Sequence, residues 1–193
     1  MIKAVIFDFF GVLGQRGFAS FRKTYFPDEP DKNKQVKELQ DQLGLGLLSY
    51  DGFIDSLVEL SGKDRETILK YTEKYQPNSL LLDYIRRDLK PKYKLGIISN
   101  AGADWVLKIL GSSNMKLFDS VILSYKVGFI KPDVEIYKIS IKELGVKAEE
   151  SVFVDDILTY CKGAEAAGMN AIWYKDFPGF KKELEATLAA ADN

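Results

Sequence analysis

Polar residues stand at the carboxyl ends of four short apolar segments. These residues are Asp8, Ser99 with Asn100, Ser124, and Asp155 with Asp156. Lys131 follows Ser124 by seven residues. If the segments are parallel strands of one sheet, their carboxyl ends open onto a single crevice, which is where α/β folds bind ligands. The pattern therefore predicts that these side chains meet in one site.

The charges in this predicted site indicate its chemistry. Asp8, Asp155 and Asp156 place three carboxylates near one cation, Lys131. Clustered carboxylates cost free energy or raise a pKa unless a cation lies among them. Because the chain has no His and a single Cys, the oxygen ligands favour Mg²⁺ over softer metals. Lys131, Ser99 and loop amides can hold a tetrahedral anion. The pattern is therefore typical of phosphoryl transfer to a carboxylate nucleophile.

Composition excludes several other mechanisms and partners. The 193 residues include no His, which excludes Ser-His, Cys-His and His-zinc chemistry. The 27 basic and 28 acidic residues leave a net charge of −1, which argues against a nucleic-acid partner. No apolar run approaches the ~18 residues that span a bilayer, and the first eight residues turn acidic too early for a signal peptide. We therefore expect a cytoplasmic protein that binds neither nucleic acid nor membrane.

Apolar, β-rich runs at 3–7, 95–98, 121–123, 152–154 and 171–174 predict buried strands. Helical patterns separate most of them, which predicts right-handed βαβ units and a parallel sheet. Residues 15–84 break this rhythm with several amphipathic helices, and the proline-marked stretch 27–33 is predicted to be a loop. We predict an α/β core of residues 1–14 and 85–193, with a helical cap of residues 15–84 inserted after the first strand.

Four segments resemble, in order, the motifs of the haloacid dehalogenase (HAD) superfamily. They are FDFFGVL at 7–13, ISN at 98–100, VGFIKPD at 127–133 and VFVDD at 152–156. Asp8, Ser99, Lys131 and Asp155 are separated by 91, 32 and 24 residues, and the first gap suits a helical cap. The resemblance covers nearly the whole chain and is closest to the branch that contains the phosphatase domain of soluble epoxide hydrolases. It implies a parallel-sheet, Rossmann-like HAD core with a small helical-bundle cap.

The resemblance also implies roles for individual residues in a phosphatase of small phosphorylated metabolites. Asp8 would be the nucleophile that forms an aspartyl-phosphate. Ser99 and Lys131 would hold the transferring group, with Asn100 close by.

The implied Mg²⁺ ion would be bound by Asp8, by the backbone carbonyl of Phe10, and by the acidic pair Asp155 and Asp156, chiefly through Asp156. The cap would select the substrate and exclude water, and its first residues, among them Gln15 and Phe18, are candidates for substrate contact.

Two positions depart from the pattern of the superfamily. Its phosphatases usually carry a second Asp two residues after the nucleophile, which protonates the leaving alcohol and later activates water. Phe10 stands there in this chain and can do neither. Tyr160 stands where relatives often have an Asn that helps to orient the site.

Three hypotheses about function follow. The first is a Mg²⁺-dependent phosphatase restricted to substrates with good leaving groups, such as acyl or anomeric phosphates. The second is a binding or regulatory protein that keeps the fold without turnover. The third is a haloacid dehalogenase, because those relatives carry an aromatic residue at the position of Phe10; the pair Asp155 and Asp156 argues against it.

Overall fold

Five parallel strands form a single sheet in the computed structural model, which describes residues 1–14, 18–72 and 76–191. The strands are β1 (Ala4–Phe7), β2 (Lys94–Ser99), β3 (Ser120–Leu123), β4 (Ser151–Asp155) and β5 (Asn170–Trp173). All five were expected from the sequence, and each observed end lies within one residue of its predicted position. The predicted parallel α/β fold is confirmed.

The described residues form ten α-helices. They are α1 (Phe18–Tyr25), α2 (Pro30–Gly44), α3 (Tyr50–Ser61), α4 (Arg65–Thr72), α5 (Ser79–Tyr84), α6 (Trp105–Met115), α7 (Ser124–Val127), α8 (Val134–Leu144), α9 (Leu158–Ala166) and α10 (Phe177–Ala191). A π-helical turn (Ile85–Leu89) extends α5, and a 3₁₀ turn (Ala148–Glu150) precedes β4. None of these helices is long and apolar enough to cross a membrane.

The strand order β3-β2-β1-β4-β5 places the topological switch point beside β1. The chain builds β2 and β3 on one side of β1 and then crosses to build β4 and β5 on the other. In the register, Phe7 lies opposite both Ile97 and Val154. Asp8 and Asp155 therefore leave adjacent strands at the same level, at the edge of the sheet where α/β folds bind ligands.

Successive side chains along each strand point to opposite faces of the sheet, so the core is divided between the two faces. Val5 and Phe7 pack with the buried residues of α5, α6 and α10. Ala4 and Ile6 face the other way and pack with α8 and α9. Because both faces are covered by helices, the central strands are continuous apolar runs, which is why they could be found in the sequence.

Helices α1 to α4, which we call the helical insert, have an apolar cluster of their own. Its buried members are Phe21, Phe26, Val36, Leu43, Phe53, Ile54, Leu57 and Ile68. The side chains of Ser49 and Asp64 accept backbone hydrogen bonds from Gly52 and Thr67, which cap the starts of α3 and α4. The prediction of a loop over 27–33 is wrong in its second half, because α2 begins at Pro30. Proline is favoured in the first turn, where its fixed φ suits a helix and its missing N–H is not needed.

The connections into and out of the insert lie side by side. Gly14 forms an antiparallel bridge with Pro77, and the Asn78 side chain donates to the Val12 carbonyl and the Tyr174 hydroxyl. Asn78 also caps α5, whose buried residues pack against the sheet and not within the insert. The predicted cap boundary at residue 84 stays a prediction.

Candidate active site

Asp8 is held at the end of β1 by the strand that pairs with it. Its backbone N–H donates to the Val154 carbonyl at 2.8 Å, which continues the ladder between β1 and β4 past the end of β1. The pairing brings Asp8 and Asp155 to neighbouring positions, and both are almost completely buried. Two carboxylates in so little contact with water require a cation beside them.

Lys131 supplies that cation. Its Nζ donates at 2.6 Å to Asp8 Oδ1 and at 2.6 Å to Asp155 Oδ2, and the lysine is only 1% exposed. Burial lowers the pKa of Lys131, but the charges of Asp155 and Asp8 outweigh this effect and the net pKa is raised. Lys131 is therefore a fixed positive charge that links the two carboxylates.

Burial has the opposite consequence for Asp8. It raises the pKa of the Asp8 carboxyl to about 7; Lys131 acts against this rise, whereas the charge of Asp155 adds to it. A carboxyl in this state needs its cationic neighbour to stay ionised near neutral pH. The Asp8 carboxyl is therefore poorly solvated, held at a defined position, and close to its midpoint of ionisation at neutral pH.

Asn100 fixes the backbone that carries Lys131. Its Nδ2 donates to the Lys131 carbonyl at 3.0 Å, and its Oδ1 accepts from the Lys131 N–H at 2.8 Å. The ammonium also lies over the rings of Tyr160 and Phe153, 5.0 and 5.3 Å from their centroids. The resemblance implies only that Asn100 lies near the substrate; the two hydrogen bonds from its side chain to the backbone of Lys131 leave no pattern in the sequence and become visible only in the structure.

The three carboxylates form a cluster suited to a divalent metal. Oxygens of Asp8, Asp155 and Asp156 lie within 4.8 Å of one another. Both oxygens of Asp155 already accept hydrogen bonds, Oδ2 from Lys131 and Oδ1 from the Ile157 N–H at 2.8 Å. The donor set is hard and its three negative charges exceed the one positive charge, so these residues fit Mg²⁺.

Ser99 closes β2 and is completely buried. Its hydroxyl has no hydrogen-bond partner among the described residues. A buried hydroxyl without a partner costs free energy, and such a group in a native fold calls for an explanation. A phosphoryl oxygen bound beside β1 and β2 would provide the missing partner.

A cavity of about 270 Å³ opens from these residues toward the helical insert. Four of the predicted site residues line it: Asp8, Phe10, Asn100 and Lys131. Ser99, Asp155 and Asp156 lie outside its lining. Phe10 is half-buried in the wall of the cavity and packs edge-on against Phe9, with 4.9 Å between the ring centroids. The position that holds an acid in phosphatase relatives is therefore an apolar surface here.

The insert forms the opposite wall of the cavity. Its contributing residues are Phe18 and Arg22 of α1, Lys37, Gln40, Asp41, Leu43 and Gly44 of α2, and Tyr50 and Phe53 of α3. Spacings of three and four place each set on one helix face. Of the predicted contact residues, Phe18 lines the cavity, and Gln15 lies outside the described residues.

Close contacts seal the insert against the core. A Cβ added to Gly102 would lie 2.1 Å from Leu43 Cγ, so α2 can approach this loop only because residue 102 is glycine. The rings of Tyr50 and Trp105 meet edge-on across the same boundary, with 4.8 Å between their centroids. The cavity therefore lies between the two parts of the chain, which are in direct contact beside it.

Comparisons with known proteins agree with this architecture. The family model described as Haloacid dehalogenase-like hydrolase matches residues 5–174. The chain is 32% identical to the D-ribitol-5-phosphate phosphatase of Bacteroides thetaiotaomicron, over 97% of this chain and 99% of that protein. It is 41% identical to the glyceraldehyde 3-phosphate phosphatase of Methanothermobacter thermautotrophicus, but the match covers only 44% of this chain and 39% of that protein.

Solved structures show the same fold. A HAD family enzyme from Bacteroides thetaiotaomicron, crystallised with magnesium and inorganic phosphate, superposes with a TM-score of 0.73 at 26% identity, over 91% of this chain and 95% of that one. The predictions of a HAD relative and of a hydrolase are confirmed by these matches. The order of the motifs, the strand order and the family match lead to one conclusion: the chain belongs to the haloacid dehalogenase-like hydrolase family.

Proposed function

We propose that this protein is a Mg²⁺-dependent phosphatase of a small phosphorylated metabolite, with Asp8 as its nucleophile. The observation that supports this most directly is the buried Lys131, which links Asp8 to Asp155 at 2.6 Å beside a cluster of three carboxylates. The relatives named as phosphatases of ribitol 5-phosphate and glyceraldehyde 3-phosphate support the same reaction class.

The proposed reaction has two displacements at phosphorus. A carboxylate oxygen of Asp8 attacks the phosphorus atom, and the bond to the leaving oxygen breaks with its electron pair on the leaving group. Water then attacks the phosphorus of the aspartyl-phosphate and gives up a proton to the phosphate product or to solvent, while the bond to Asp8 breaks with its electron pair on the carboxylate, which is regenerated. Lys131 favours the ionised form of Asp8 against the effect of burial, and its charge stabilises the negative oxygens in both steps.

Asp8, the backbone carbonyl of Phe10 and Asp156 would hold the Mg²⁺ ion, with Asp155 fixing Lys131 beside them. When bound, the ion neutralises negative charge on the phosphoryl oxygens. The Ser99 hydroxyl would donate to one of these oxygens and so gain its missing partner. Asn100 would act as a positioning residue, because its amide holds the backbone of Lys131.

Phe10 limits which substrates can react. Proton transfer from a general acid typically increases the reaction rate by about 10²–10⁴-fold, and the side chain of Phe10 has no proton to donate. The leaving group must therefore depart without protonation from this position. Acyl and anomeric phosphates have such leaving groups, whereas simple alkyl phosphates do not.

A turnover screen over acyl, sugar and nucleotide phosphates in the presence of Mg²⁺ tests this proposal. We expect phosphate release from the activated substrates and none after Asp8→Asn. Phe10→Asp should increase kcat/KM for an unactivated ester on the order of 10²-fold or more, and much less for an ester with a good leaving group. Phe10→Asn is the matched control, because it is equally small and polar but cannot transfer the proton. An equal gain from both variants would contradict the role assigned to Phe10.

The same residue favours a second candidate, a binding or regulatory protein without turnover. An aromatic side chain in place of the acid is what the loss of catalysis would leave behind. If calorimetry shows that Mg²⁺ and inorganic phosphate bind, yet neither the wild type nor Phe10→Asp turns over any substrate, this second function replaces the first.

A further inference from the structure

The wall of the cavity that faces Asp8 carries an unmatched positive charge. Lys37 and Asp41, on one face of α2, form an ion pair in which Nζ lies 2.5 Å from both carboxylate oxygens, so their charges cancel. Arg22 of α1 lines the same cavity and is half-buried. Its guanidinium has no hydrogen bond, ion pair or aromatic ring as partner anywhere in the described chain.

A half-buried arginine without a partner loses hydration and gains nothing in return. Its planar fork of five donors matches the geometry of a carboxylate or a phosphate, which it binds with two parallel hydrogen bonds. Among the described insert residues that line the cavity, Asp41 is the one anion, and both of its carboxylate oxygens are already paired with Lys37. An anionic group on a bound ligand is therefore the partner that suits Arg22.

The size of the cavity limits the ligand that brings this anion. Ligand sites in proteins have volumes of roughly 300–1,000 Å³, so a cavity of about 270 Å³ suits a small metabolite and not a polymer. A phosphoryl group at Asp8 takes part of that space. What remains fits a short carbon chain, packed between aromatic side chains and ending in one further polar group.

We propose that Arg22 binds a second anionic group of the substrate, a carboxylate or a second phosphate, at the end opposite the phosphoryl group that reaches Asp8. This inference rests on the proposed phosphatase function. It makes Arg22 a residue that determines specificity, and it distinguishes this site from one that accepts neutral sugar or polyol phosphates.

Binding of phosphonates tests the proposal without turnover, because their carbon–phosphorus bond is not cleaved. Three probes share a three-carbon chain and differ at the far end: 3-phosphonopropanoate, propane-1,3-bisphosphonate and 3-hydroxypropylphosphonate. Calorimetry is carried out with Mg²⁺ in large excess. We expect the wild type to bind the better of the two doubly anionic probes about 10- to 100-fold more tightly than the neutral-ended one. Which of the two binds more tightly identifies the anion.

Arg22→Gln should abolish this preference, and Arg22→Lys should retain part of it. Lys23→Gln is the matched control, because Lys23 is the exposed neighbour on the same helix and carries the same charge. Thermal unfolding verifies that each variant is folded. If Arg22→Gln does not fold, the reduced preference expected of Arg22→Lys provides the test. Equal binding of all three probes by the wild type, or a preference unchanged in Arg22→Gln, would overturn the role of Arg22 alone. If Mg²⁺ binds but no probe does, the proposed phosphatase site fails, and the Arg22 proposal fails with it.

Discussion

Replacing Lys131 with Met should destabilise the protein far more than removing any surface lysine. The substitution keeps the length of the side chain but leaves Asp8 and Asp155 buried with no cation between them. Removing one partner from a buried ion pair costs about 3–5 kcal/mol. At roughly 2–4 °C per kcal/mol for a domain of this size, the midpoint of unfolding should fall by about 6–20 °C.

A second lysine provides the matched control. Lys126 pairs with Asp104 at the same distance of 2.6 Å, but the two side chains are 52% and 58% exposed. Exposed pairs contribute about 0–1 kcal/mol, so Lys126→Met should lower the midpoint by no more than about 4 °C. Because both lysines pair with aspartate at 2.6 Å, the difference between the two variants measures the effect of burial together with that of the second carboxylate beside Lys131.

Thermal unfolding followed by circular dichroism, in EDTA at pH 7, measures both variants. Added Mg²⁺ should stabilise Lys131→Met more than the wild type, since three carboxylates then lack any internal cation. Equal midpoints for Lys131→Met and Lys126→Met in EDTA would refute the reasoning, because they would mean that burial adds nothing to the value of the lysine.

Three further substitutions or conditions probe the site. Asp156→Ala should weaken Mg²⁺ binding at least about 10-fold by calorimetry while the unfolding midpoint in EDTA changes little, because β4 is apolar and forms without this side chain. Gly102→Ala should shift the fluorescence of Trp105 to the red, since a Cβ 2.1 Å from Leu43 Cγ is incompatible with the present packing of α2 against this loop. In metal-free buffer the pKa of Asp8 is about 7 in the folded state against 3.8 in the unfolded chain, so between these values the folded state binds one more proton. The contribution of Asp8 to the free energy of unfolding should therefore be lost as the pH rises from about 4 to 7. Urea unfolding of Asp8→Asn over the same pH range should not show this loss.

The sheet and the ends of its strands could be predicted because burial on both faces leaves a direct signal in the sequence. A parallel strand covered by helices is an uninterrupted apolar run, and the polar residue that ends it marks the crevice. Asp8 and Asp155 are examples: each follows or closes such a run, and the register between β1 and β4 then brings them together.

The wall formed by the insert could not be predicted in the same way. The amphipathic pattern of α2 shows that Val36 and Leu43 are apolar, and both do pack inside the insert. It does not show that the face with Lys37 and Asp41 covers Asp8, because that depends on how the insert docks. Arg22 gave no signal for the same reason, since a lone arginine on a helix is usually solvated.

The lining of the cavity is mixed in polarity, and Phe10 contributes to its apolar part. Asp8 and Lys131 bring buried charges to it, whereas aromatic rings come from Phe10, Phe18, Tyr50, Phe53, Trp105 and Tyr160. A ring there excludes water from the leaving group and cannot protonate it. The rate of the first displacement would therefore depend steeply on the acidity of the leaving group, because the substrate itself must stabilise the charge that a catalytic acid would otherwise neutralise. A site of this kind gains selectivity from the missing acid: stable alkyl phosphates would enter and leave unchanged, and only phosphates that are already activated would react with Asp8.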